Sequence, residues 1–181
     1  MARILVLNGS SRPKGFTAAM IRSFAQGARQ AGNTVQVIDL RMLDIRCCVG
    51  CLHGGADPAH PCTQRDDMAT VYAAYRACDV VVLATPLFFW SYSGLLKNAF
   101  DRLWALAECQ PDELRGNGRS GALLVAAGGS HPAQLLAHFD YLMLRMGWRN
   151  LGSAVLLHTD DLDPAAVTDV PQARELGASI A

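Results

Sequence analysis

The sequence predicts an α/β fold in which five parallel strands form a doubly wound sheet, order 2-1-3-4-5, with helices on both faces. Three observations predict it. Strand-like apolar runs alternate with amphipathic segments along all 181 residues. Runs such as Val80-Val-Val-Leu-Ala84 and Ala122-Leu-Leu-Val-Ala-Ala127 are continuously apolar, as parallel strands covered on both faces should be. The first strand also runs straight into a turn rich in glycine, serine and basic residues, which suits the crevice at the carboxyl ends of such strands.

Taken in order, strands are expected near residues 3–8, 34–39, 79–85, 120–127 and 150–157, and helices over 17–31, 67–77, 94–107, 132–146 and 164–178. The first helix should end at Gly32, a residue suited to a helix C-terminus. The last should open after Asp163 with Pro164 in its first turn. No internal repeat or low-complexity tract interrupts the pattern. One domain spanning 1–181 is expected, with a cysteine-containing insertion loop at about 46–66. The strand order places a ligand crevice between strands 1 and 3.

Composition narrows the function. A chain with 51% hydrophobic and 18% charged residues suits a soluble globular protein. Sixteen Lys and Arg balance sixteen Asp and Glu, and no basic run is present, which argues against nucleic acid or a membrane surface as partner. Small-molecule chemistry is favoured. The apolar start Ile4-Leu-Val-Leu7 is too short for a signal segment and no later run would span a bilayer, so a cytoplasmic location is expected. Six cysteines in a reducing compartment read as thiols, ligands or redox groups before disulfides.

Three loops carry the candidate chemistry. In Asn8-Gly-Ser-Ser-Arg-Pro-Lys-Gly-Phe-Thr17, backbone N–H groups, the hydroxyls of Ser10, Ser11 and Thr17, and a helix N-terminus would cradle a phosphate that Arg12 or Lys14 neutralises. The same segment also fits an ordinary strand-to-helix turn with Thr17 as N-cap. Thr85-Pro-Leu-Phe-Phe-Trp-Ser-Tyr-Ser-Gly94 crowds aromatics into a loop beside it, where they would cover a flat conjugated ligand such as an isoalloxazine, or pack against helices or a partner subunit. Ala126-Ala-Gly-Gly-Ser-His131 would bring backbone N–H groups to the same ring.

With these loops assembled, the chain resembles the NAD(P)H-dependent FMN reductase family of the flavodoxin-like fold, in the branch close to iron-sulfur flavoproteins. The resemblance rests on the 8–17 loop, on Cys48-Val-Gly-Cys51 followed by Asp66-Asp67-Met68, and on Thr85-Pro86 leading to Gly94-Leu-Leu-Lys-Asn-Ala-Phe-Asp-Arg102. It implies FMN as cofactor, with Ser10, Arg12, Lys14, Phe16 and Thr17 at the phosphate end. Pro86, Leu87, Phe88, Phe89, Trp90, Ser91, Gly128 and Gly129 would then lie at the ring. It also implies a homodimer or homotetramer that passes electrons from transiently bound NAD(P)H to a quinone, flavin, nitro or azo compound or metal ion by a ping-pong hydride mechanism. Lys97, Asp101 and Arg102 match the family's helix signature, where an anchoring role is expected. No Gly-x-Gly-x-x-Gly follows the first strand, which argues against a dinucleotide bound in the Rossmann manner. The alternatives are a flavodoxin-type electron carrier, against which the neutral charge and the basic 8–17 loop favour the reductase, and an iron-sulfur or zinc-containing flavoprotein.

The cysteine segment stays ambiguous. Cys48 and Cys51 have ligand spacing, and Cys62 with His53 or His60 would complete four. The resembled iron-sulfur branch carries a compact four-cysteine motif here, and this chain has Gly54 where the third thiol would fall. A buried capping loop, a metal site and thiol redox chemistry at Cys48 and Cys51 are all compatible with the spacing. His131 is the histidine best placed to act as an acid or base beside the third loop, or it is a capping residue. Arg115 and Arg119 are candidates for the extra phosphate of NADPH, or ordinary surface.

Overall fold

The first strand, β1 (Arg3–Asn8), is tied at its start to Asp79, whose carboxylate accepts from the Arg3 backbone N–H at 2.8 Å and from its guanidinium at 2.7 Å. It sits between β2 (Thr34–Asp39) and β3 (Val80–Pro86), and β4 (Ser120–Ala126) and β5 (Arg149–Leu156) complete a parallel sheet in the order 2-1-3-4-5. The computed structural model describes residues 1–55 and 57–180. Ala56, within the expected cysteine loop, and Ala181 lie outside the described residues.

Because side chains alternate across a strand, β1 sends Leu5 and Leu7 to one helical layer and Ile4 and Val6 to the other. The first layer holds α2 (Met68–Ala77), α3 (Gly94–Arg102), α4 (Trp104–Cys109), α5 (Pro111–Leu114) and α6 (Ala133–Met146). The second holds α1 (Phe16–Gln30) and α7 (Pro171–Ala178), which pack on each other. The central strands are buried almost throughout, which explains their unbroken apolar runs. The edge strand β2 alternates with polar residues and is largely exposed.

Two helix expectations need correction. The segment expected as one helix over 94–107 closes at Arg102 and restarts at Trp104. There the Arg102 carbonyl accepts from the buried Tyr72 hydroxyl at 2.8 Å, while Leu103 and Leu106 bond three residues back instead of four. That tightening separates the two helices. The last helix, expected from 164, begins only at Pro171. Proline cannot supply the N–H of a helix interior and pushes the preceding Val170 into an extended conformation (φ −127°, ψ 93°). The Val170 N–H is met instead by Ser23 Oγ at 2.9 Å.

Candidate active site

The turn after β1 is fixed from below by a buried polar relay. Thr85, fully buried at the end of β3, accepts the Ser93 N–H at 2.9 Å through Oγ1. Ser93 Oγ donates to the Gly9 carbonyl at 2.7 Å and accepts the Leu96 N–H at 3.2 Å, so one hydroxyl caps α3 and anchors the turn after β1. Gly9 N–H also donates to the Ala84 carbonyl at 2.8 Å. Within the turn, Ser10 Oγ accepts from the Arg12 N–H at 3.2 Å. The first helix starts at Phe16 with Gly15 at the N-cap and no side-chain cap. Thr17 is therefore one residue inside the helix, not at its cap, and it is buried.

The aromatic loop after β3 is a two-residue hairpin. Phe88 and Ser91 exchange backbone hydrogen bonds of 3.1 and 2.9 Å across it. Its central residues, Phe89 and Trp90, have φ of 47° and 59°, the positive values that a type I′ turn demands and that Asn-Gly normally supplies. A side chain in that region costs about 1–2 kcal/mol per residue. The strain is not offset by burial, because Phe89 is 94% exposed and Trp90 56%. Strain of this kind clusters at ligand clamps.

The two turns face each other across a cavity of about 630 Å³, the size of a small-molecule site. Ser10, Ser11, Arg12, Gly15, Phe16 and Thr17 line it from β1, Pro86 to Trp90 from β3, and Ala126, Gly128 and Gly129 from β4. Of the residues singled out in the sequence, Lys14 lies on the exposed turn before α1 and Ser91 closes the hairpin, and neither is in the lining. Thr159 and Asp160, on the turn after β5, form a fourth wall that sequence reasoning missed. Their one available signal was position, at the carboxyl end of the fifth strand.

That fourth wall is fastened to the third loop. Ala127 N–H donates to the Leu156 carbonyl at 2.8 Å, Thr159 N–H to the Ala127 carbonyl at 3.0 Å, and His158, at φ 55°, donates its N–H to the Gly129 carbonyl at 3.4 Å. Gly128 lets the Asp160 carboxylate approach closely, since a Cβ at this position would meet it.

The cysteine loop lies elsewhere. Cys48, Cys51 and Cys62 line a cleft of only about 40 Å³ together with Trp104 and Glu108. Cys51 contacts the Thr63 hydroxyl at 3.6 Å, and this, with a backbone N–H at His53, lowers its thiol below the ordinary range. The loop is anchored by Arg102, whose guanidinium grips Asp66 at 2.8 and 3.1 Å with both side chains 1% exposed. Among the described residues, no three His, Cys, Asp or Glu side chains are placed to hold a metal ion.

Of the remaining candidates, His131 is exposed, pairs with Ser130 Oγ at 3.3 Å and does not line the cavity. Arg119 lies over the Tyr75 ring, 4.2 Å from its centroid, and donates to the Glu113 and Tyr75 carbonyls. Arg115 stacks on Trp104 at 5.0 Å. Both arginines serve packing away from the cavity. Lys97 and Asp101 form an exposed i,i+4 pair on α3.

The profile of the family described as NADPH-dependent FMN reductase matches residues 2–161. An iron-sulfur flavoprotein of Archaeoglobus fulgidus is 26% identical over 96% of this chain and 76% of its own length. YwqN of Bacillus subtilis, assigned as an NAD(P)H-dependent FMN-containing oxidoreductase, is 26% identical over 80% of this chain and 79% of its own. The match to another A. fulgidus iron-sulfur flavoprotein spans only about half of that relative, 48%. Among solved structures, an NAD(P)H:quinone oxidoreductase from Methanothermobacter marburgensis superposes with a TM-score of 0.72 at 18% identity, covering 98% of this chain and 94% of that one. It shares the fold. No helix among the described residues is long and apolar enough to cross a membrane. With the family profile covering most of its length, the chain belongs to the NADPH-dependent FMN reductase family.

Proposed function

We propose that this member of the NADPH-dependent FMN reductase family holds FMN in the four-walled cavity and passes electrons from NAD(P)H to a small acceptor. The observation that carries the reading is the Phe89-Trp90 hairpin, a strained turn that holds two large aromatics in the open beside a cationic strand-to-helix loop. A flat ligand to cover would give such residues at positive φ a physical reason.

The cavity residues fit FMN. Arg12 supplies the cation for a phosphate, with the hydroxyls of Ser10 and Thr17 and the start of α1 beside it. Pro86, Leu87 and the aromatics offer apolar cover for a ring, and the backbone of Gly128 and Gly129, which lines the same cavity, would offer N–H groups to its polar edge. Bound FMN would supply the hydride and electron chemistry. The wide mouth between hairpin and loops lets NAD(P)H and the acceptor use one opening in turn, a ping-pong order. A quinone, a flavin, a nitro or azo compound, or a metal ion suits such an acceptor position. Exposed Tyr141 and Leu144 on α6, with Phe89, support a homo-oligomer.

Some relatives are named iron-sulfur flavoproteins, and the cysteine loop of this chain does not fit a four-thiol cluster. Three thiols share the cleft, but position 54 is glycine and the Glu108 carboxylate stands where its Cβ would be.

The test is the visible spectrum of the protein after FMN addition and desalting, followed by anaerobic NADPH or NADH. Retained flavin that bleaches with a nicotinamide is expected. Retained flavin that bleaches only with dithionite identifies an electron carrier, and no retained flavin overturns the reading.

A further inference from the structure

Asp160 is unexplained by phosphate binding. It and Arg12 are the two charged residues among the described lining of the cavity, and they stand on different walls. Arg12 follows β1 and Asp160 follows β5, three strand spacings away in the order β1-β3-β4-β5, which is about 14 Å at the usual interstrand distance. A phosphate is attracted to one wall and repelled by the other, so the Asp160 wall belongs to the ring of a bound FMN. The backbone that carries this exposed carboxylate is held in place. Its turn is laced to the 127–129 loop by the Thr159 and His158 N–H groups, and the missing side chain of Gly128 lets it press against that backbone. No hydrogen bond or ion pair to the Asp160 side chain is present among the described residues. With no internal partner, the carboxylate is left to face whatever fills the cavity.

From this we infer that Asp160 tunes the flavin, favouring its oxidised form by repelling the negative charge that reduction adds to the ring. The inference rests on the proposed FMN site. A negative charge beside the ring disfavours adding electrons to it, and this makes the loaded protein a stronger reductant toward its acceptor. The role is one of tuning: no proton or bond change at Asp160 is required.

The experiment is an anaerobic reduction of the FMN-loaded protein in equilibrium with a reference dye, for the wild type, Asp160→Asn and Asp161→Asn. Asp161 is the control, because it carries the same charge on the same exposed turn but does not line the cavity. Asp160→Asn should shift the oxidised-to-reduced equilibrium about tenfold toward reduced flavin, which for a two-electron couple is about 30 mV. Asp161→Asn should shift it far less, because its side chain lies off the cavity lining and farther from the ring. Equal shifts in both variants, or none in Asp160→Asn, overturn the inference. So does an Asp160→Asn protein that no longer retains FMN while the wild type does, since the carboxylate is then a binding group. A wild type that retains no FMN overturns the proposed function, and the inference falls with it. That outcome is distinct because it is visible before any variant is made.

Discussion

The aromatic hairpin at 86–91 and the cysteine loop at 46–66 are both irregular, partly exposed and rich in unusual residues, yet they are built by opposite means. The hairpin spends conformational energy to hold Phe89 and Trp90 out at positive φ beside a cavity of about 630 Å³. The cysteine loop rests on a buried, bidentate ion pair between Asp66 and Arg102 and folds its thiols around a cleft of about 40 Å³. Strain beside open space points to a ligand that the chain lacks by itself. Unusual side chains packed over a buried ion pair point to architecture.

The largest expected effect comes from removing that ion pair. Arg102→Ala leaves Asp66 buried and unpaired and should cost about 3–5 kcal/mol in chemical denaturation. A loss below about 1 kcal/mol would place the loop's anchor elsewhere. The same pair sets an acid limb. Burial pushes the Asp66 carboxyl up, but the Arg102 guanidinium and the N–H groups of Arg46 and Met68 outweigh it and hold the carboxyl below its ordinary value. Its contribution is therefore complete above the unfolded carboxylate pKa of about 3.9 and is lost as pH falls through the lower folded value. Asp66→Asn should flatten that part of a stability-against-pH curve.

At the cavity, Arg12→Ala should weaken FMN retention about tenfold to a hundredfold, the worth of one hydrogen bond to a charged group, as read by fluorescence titration. Unchanged retention would remove Arg12 from the phosphate end. The double variant Phe89→Asn, Trp90→Gly gives the hairpin the residues its turn prefers. It should stabilise the FMN-free protein by about 1–2 kcal/mol while weakening FMN binding, opposite signs that a purely structural hairpin would not produce. The smallest effect is expected at Thr63→Val, which removes the contact that favours the Cys51 thiolate. Alkylation of Cys51 near neutral pH should slow, with FMN retention unmoved.

Much of this architecture could be read from the chain. Val80 to Ala84 and Ala122 to Ala127 could only be parallel strands covered on both sides, and five such units leave few sheet orders. What failed has local causes. Pro171 rather than Pro164 opens the last helix, with Val170 held extended before it, and the break at Leu103 goes with a Tyr72 hydroxyl that reaches the Arg102 carbonyl from another helix. In the cavity, the first three loops carry compositional signals, whereas Thr159 and Asp160 sit in a turn whose sequence has none.

The sequence by itself determined the layers, the strand order and the family, because hydrophobic periodicity and loop composition are properties of neighbours along the chain. Only the tertiary structure decided that Phe89 and Trp90 occupy a type I′ turn, that Arg102 is spent on Asp66, and that a carboxylate from β5 faces the cavity. The last two depend on groups far apart in sequence, Arg102 and Asp66 by 36 residues. Backbone sign at a turn and charge placement across a sheet are set by packing, and no local pattern encodes them.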